Sequence, residues 1–79
     1  MNLRIYKSIK IGNADNNIRF TDLQNLIIAL GFKFKSQKGS HIIYYHESIK
    51  ERINVQRDGS KAKAYQVEQL REIILKHNL

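Results

Sequence analysis

Gly39-Ser40-His41 opens an aliphatic and aromatic run, Ile42-Ile43-Tyr44-Tyr45, and Lys33, Lys35 and Lys38 crowd the approach to it. An imidazole exchanges a proton near neutral pH, and ammonium groups hold a polyanion beside it. These residue types at this spacing point to chemistry on RNA phosphates. A base that removes the ribose 2′-hydroxyl proton lets that oxygen attack the neighbouring phosphorus, with no metal required. A positioned imidazole contributes roughly 10²–10⁴-fold to such a step. His41 is the candidate base or acid, Gly39 leaves the backbone accessible, and Ser40 offers a hydroxyl to a phosphate oxygen. The competing reading of His41 is a strand histidine with an ordinary hydrogen bond.

A second basic group, Arg57, Lys61 and Lys63, follows further along the chain and could approach the first if a sheet closes between them. The two groups together would make a phosphate track, and a solvated basic face is the alternative. Tyr44 and Tyr45 could stack on bases, although strand tyrosines commonly serve the core or rim. His46 falls on the opposite strand face from His41, because side chains alternate, and it reads as a surface residue. His77 closes the last helix, where a cation suits the macrodipole. The three histidines lack an H-x-x-x-H spacing and the chain has no cysteine, so no metal site and no disulfide are expected. There is no phosphate-binding glycine loop, no G-x-S-x-G elbow and no carboxylate set for two-metal catalysis. No cofactor is expected.

With 79 residues the chain should form one domain, residues 1–79. A domain this small buries roughly 60% of its unfolded surface, which leaves little core for a deep cleft and favours a shallow site for a large substrate. The net charge is +7, from 14 Lys+Arg against 7 Asp+Glu. Such an excess favours nucleic acid, an anionic membrane or an acidic protein as partner. No apolar run approaches the ~20 residues of a membrane span. Charges interrupt Met1 to Lys10, so no signal peptide is read and the cytoplasm is the expected compartment.

The elements that must position these residues follow from periodicity. Ile5, Tyr6 and Ile9 fit one face of a short helix within Leu3 to Ile11, and Gly12 to Asn17 reads as a loop. Leu23, Leu26, Ile27 and Leu30 predict an amphipathic helix over 22–30, with Thr21 and Gln24 spaced as a capping box and Gly31 as its stop. Phe32 and Phe34 alternate with Lys33 and Lys35 as in a strand with one buried face. Ser40 to His46 makes a second strand whose apolar residues fall on both parities. Ile53 and Val55 mark a third. After the turn Asp58-Gly59-Ser60 and a basic loop, Val67, Leu70, Ile73 and Ile74 form the buried stripe of a closing helix. Short turns favour an antiparallel meander with helices on one face and the other face free.

The ordered set Phe20-Thr21-Asp22-Leu23, Leu30-Gly31-Phe32-Lys33, Lys38-Gly39-Ser40-His41-Ile42, Ile53-Asn54-Val55-Gln56 and Tyr65-Gln66-Val67 resembles the HicA family of bacterial toxins over about residues 18–79. The resemblance implies an α+β fold like the double-stranded-RNA-binding domain. Its three-stranded antiparallel sheet would carry helices on one face, in the order α-β-β-β-α, with residues 1–17 as an N-terminal extension. It implies a metal-independent endoribonuclease that cleaves mRNA in the bacterial cytoplasm, and a HicB-like antitoxin partner. The family's histidine after Gly-Ser carries over to His41. Many members have a second histidine where Ile42 stands, and a proline near Ala64.

On this reading His41 is the general base or acid. Lys35, Lys38, Gly39 and Ser40 surround the scissile phosphate, and Lys61 and Lys63 guide the strand. The alternative is a non-catalytic RNA-binding module on the same face.

Overall fold

The computed structural model describes residues 1–79. Three helices, α1 (Leu3–Ile11), α2 (Phe20–Ala29) and α3 (Ala64–His77), accompany four strands, β1 (Lys33–Lys38), β2 (His41–His46), β3 (Glu51–Asp58) and β4 (Lys61–Ala62). The strands form one antiparallel sheet in chain order. The expected three-stranded sheet therefore has a fourth strand. The Gly59-Ser60 turn folds the basic loop back so that Arg57 faces Ala62 and Asp58 faces Lys61. No helix is long and apolar enough to cross a membrane.

The core lies between the helices and one sheet face. Ile5 and Ile9 come from α1, Phe20, Leu23, Leu26 and Ile27 from α2, and Val67, Leu70, Ile73 and Ile74 from α3. They close over Tyr44 of β2 and Ile53 and Val55 of β3. This settles which parity of β2 is buried: Tyr44 faces inward, and His41 stands on the opposite, outer face.

The helix at the N-terminus forms as its periodicity predicts. Asn2 caps it, its side-chain oxygen accepting from the N–H groups of Arg4 and Ile5 at 3.1 and 3.2 Å. The following loop contains one 3-10 turn, Asp15–Asn17. Asp15 there holds Arg71 of α3 through two hydrogen bonds of 2.9 Å, and Arg71 also donates to the Ile9 carbonyl at 3.1 Å. The carboxylate holds the guanidinium above its ordinary pKa, chiefly through these bonds. Residues 1–17 are thus tied to the last helix by both core and charge.

The Thr21–Gln24 capping box does not form. α2 begins at Phe20, one residue before Thr21, and has no side-chain cap. Its first turn is served by tertiary pairing instead: the Phe20 N–H donates to the Ser60 carbonyl at 3.0 Å, while the Ala62 N–H donates to Ile18 at 2.8 Å. Gln24 turns to the sheet and donates to the Tyr44 hydroxyl at 3.0 Å. Gly31 follows α2 with φ +105°. A Cβ there would lie 2.6 Å from Nε2 of His46, so glycine is required both for the left-handed backbone and for the close approach.

Two further expectations are corrected. Phe32 is buried as predicted, but Phe34 is 60% exposed. β1 is the sheet edge, and a bulge between Phe34 and Ser36 breaks its alternation; the Phe34 ring stands edge-on to Tyr44 at 6.4 Å between centroids. His46 is no surface residue. Its Nε2 lies 3.0 Å from the Leu30 carbonyl, and its ring stands edge-on to Phe32 at 5.1 Å. Because a carbonyl only accepts, Nε2 carries the proton and donates to the end of α2.

Candidate functional site

Lys38 and His41 face each other across a two-residue turn, Gly39-Ser40. Gly39 has φ +60° and Ser40 does not enter the positive region. That is the pattern of a type II′ hairpin, which demands glycine at its first central position. Asp58-Gly59-Ser60-Lys61 repeats it, with Gly59 at φ +63°. In a meander the first and third turns lie at the same end of the sheet. One end therefore collects both Gly-Ser turns, His41, Lys38, Lys61 and the start of α3.

The register between β2 and β3 sets the neighbours of the imidazole. His41 is opposite Gln56, and Ile43 is opposite Asn54. Asn54 and Gln56 therefore share the outer face with His41. The Nδ1 atom of His41 lies 3.3 Å from Oδ1 of Asn54. An amide oxygen accepts, so this contact places the ring proton on Nδ1 and leaves the lone pair of Nε2 open. His41 is exposed, so that nitrogen can meet a large substrate.

Gln56 joins three elements. Its Nε2 donates to Ser40 Oγ at 2.9 Å, and its Oε1 accepts from Lys63 Nζ at 2.9 Å. Its backbone N–H donates to Oε1 of Gln66 at 2.8 Å, and Gln66 is 2% exposed. Ser40 and Lys63 are thereby bound to the two ends of one amide directly across from the histidine.

The remaining basic residues spread out. Lys38 is adjacent to His41 by register, and Lys61 is exposed on β4 beside Asp58. Lys35 is not at the histidine: its ammonium lies 5.3 Å from the centroid of the Tyr45 ring. Tyr45 is four residues from His41 on the same face, about 13 Å along the strand. Arg57 lies over the Phe20 ring at 4.8 Å and so leaves the track expected for it. The surface carries three depressions, and none is lined by His41. The broadest, about 480 Å³, lies by Lys33, Phe34, Lys35, Tyr45 and Glu47. The histidine sits on open surface, as a domain with so little core allows.

Residues 20–77 match the family model described as the HicA toxin of bacterial toxin–antitoxin. The chain belongs to the HicA toxin family. No curated protein and no solved structure matches it. The HicA match begins at Phe20, the first residue of α2, so α1 and the 3-10 turn lie outside it. The Gly-Ser-His turn, β3 and α3 lie inside it, and Ala64 occupies the first position of α3, where proline is well tolerated.

Asn54, Gln56 and Gln66 were not singled out as site residues from the sequence. Two signals pointed to them. Asn54 and Gln56 alternate with buried Ile53 and Val55, and Gln66 stands four residues before Leu70 on the apolar stripe of α3. A polar side chain on an apolar stripe needs a partner, and Gln66 finds it in β3.

Proposed function

We propose that this HicA chain is the toxin of a toxin–antitoxin pair and acts as a metal-independent endoribonuclease on mRNA in the bacterial cytoplasm. The observation that carries the reading is the exposed His41 ring held through Nδ1 by Asn54, beside Lys38 and Ser40. Nε2 takes the ribose 2′-hydroxyl proton, the 2′-oxygen attacks phosphorus, and the RNA is cut to a 2′,3′-cyclic phosphate and a 5′-hydroxyl. Lys38 and Ser40 neutralise and orient the scissile phosphate, with Gly39 giving close backbone access. Lys61 guides the strand, and Lys35 meets a phosphate further along the outer face. Charge neutralisation at these lysines gives affinity a steep salt dependence.

The order of elements from α2 to α3 supports a double-stranded-RNA-binding-domain-like fold, with β4 as an addition and residues 1–17 as an extension within one domain of residues 1–79. An acidic HicB-like antitoxin fits the +7 charge and an uncovered site. It would inhibit by occupying the outer face around His41.

Incubation of the purified protein with end-labelled RNA in excess chelator tests the proposal. Shortened products with 2′,3′-cyclic phosphate ends support it. Intact RNA with a salt-sensitive mobility shift would instead identify a non-catalytic RNA-binding module.

A further inference from the structure

A histidine that takes the 2′-hydroxyl proton leaves the departing 5′-oxygen without a proton donor. We infer that Lys63 supplies that proton and that Gln56 is the positioning residue that holds it in place; this rests on the ribonuclease reading above.

Five other basic side chains are candidates. Lys33 and Lys35 lie toward the far end of the outer face, opposite and over Tyr45, and Arg57 is drawn to Phe20. Lys38 and Lys61 are exposed and make no hydrogen bond or ion pair within the chain. Lys63 is different. It is half-buried where the backbone enters α3, and its Nζ donates to Gln56 Oε1 at 2.9 Å. The amide that receives it is itself held, by Ser40 Oγ at 2.9 Å and, through its backbone, by the buried Gln66 at 2.8 Å. A donor braced from the core loses little freedom when the substrate arrives. An ammonium has three protons, so Lys63 can keep Gln56 and still offer one outward. Gln56 faces His41 in the register and accepts from Lys63, so base and donor flank one side chain.

The step balances. His41 Nε2 takes the 2′-hydroxyl proton as the 2′-oxygen–phosphorus bond forms. The phosphorus–5′-oxygen bond breaks with its electron pair on oxygen, and Lys63 gives that oxygen a proton. The imidazolium and the neutral amine then re-equilibrate through solvent.

The test uses an RNA that the wild-type chain cuts, remade with sulfur in place of the bridging 5′-oxygen at the cut. A thiolate leaves without a proton. Lys63→Arg keeps the charge but holds its protons far more tightly. It should cut the oxygen RNA about 10²-fold more slowly or worse, and the sulfur RNA near the wild-type rate. Gln56→Leu, which releases both Lys63 and Ser40, should lower kcat on oxygen RNA, and sulfur should restore only the part lost through Lys63. His41→Ala should fail on both substrates. The inference is overturned if Lys63→Arg cuts oxygen RNA normally, or if it loses equally on both RNAs, since either result assigns Lys63 to phosphate binding alone. A wild-type chain that cuts no RNA overturns the underlying ribonuclease reading, a result distinct from either.

Discussion

The Nδ1 atom of His41 and the Oδ1 atom of Asn54 lie 3.3 Å apart across neighbouring strands. They are brought together by register alone: Asn54 faces Ile43, two residues from His41 on the same sheet face. The contact selects the ring tautomer whose Nε2 can accept a proton, the role a third residue takes in hydrolytic triads.

Asn54→Ala should therefore slow RNA cleavage about 5- to 10-fold, the worth of one modest hydrogen bond, with RNA affinity little altered. Asn54→Asp should favour the protonated ring, so the pH at which cleavage rises moves upward. Rate–pH profiles of the two variants check both statements. Unchanged profiles would show that the contact does not govern the base.

The two histidines of β2 should separate cleanly. His46 holds the end of α2 through Leu30 and packs on Phe32, so His46→Ala should lower the melting temperature yet leave cleavage in the folded protein intact. Gly31→Ala strains a φ of +105° and places Cβ 2.6 Å from the His46 ring. It should cost at least about 1–2 kcal/mol by combining backbone strain with steric displacement. Thermal melts monitored by circular dichroism measure both effects.

Acid should weaken one tie between β3 and α3. Glu51 accepts a 2.7 Å hydrogen bond from His77 and lies 3.4 Å from Lys76. The His77 bond holds the Glu51 carboxyl below its ordinary value of 4.5; partial burial opposes the shift, and Lys76 adds to the lowering. A lowered folded-state pKa stabilises the fold at pH above the ordinary carboxylate range, and that contribution disappears as pH falls through the lower, folded value. Glu51→Gln should flatten this acid limb of stability. Urea melts between neutral and acid pH compare it with the wild type, and identical pH slopes would remove the assignment.

The parts of this molecule legible in the chain are those governed by local pattern. Ile5 with Ile9, the stripe from Leu23 to Leu30, and Val67 with Leu70 place three helices; the strand expected from Ser40 begins one residue later, at His41, because Ser40 joins Gly39 in the turn. What was hidden depends on which elements touch. Strand alternation separates His41 from His46, but it does not reveal that α2 ends above His46. Thr21 and Gln24 have the spacing of a cap, yet pairing of Phe20 with Ser60 starts the helix earlier and frees Gln24 for Tyr44. Lys35 precedes His41 by six residues, but the hairpin sets Lys38 opposite His41 and leaves Lys35 further along β1, over Tyr45. Asn54 and Gln56 become candidate site residues only when β3 is laid against β2 in one particular register.

Cleavage of labelled RNA by His41→Ala, with circular dichroism confirming a native fold, tests the central claim most directly. The account predicts that the folded variant still binds RNA in a salt-sensitive manner and cuts none of it. Wild-type cleavage by the folded variant would contradict it.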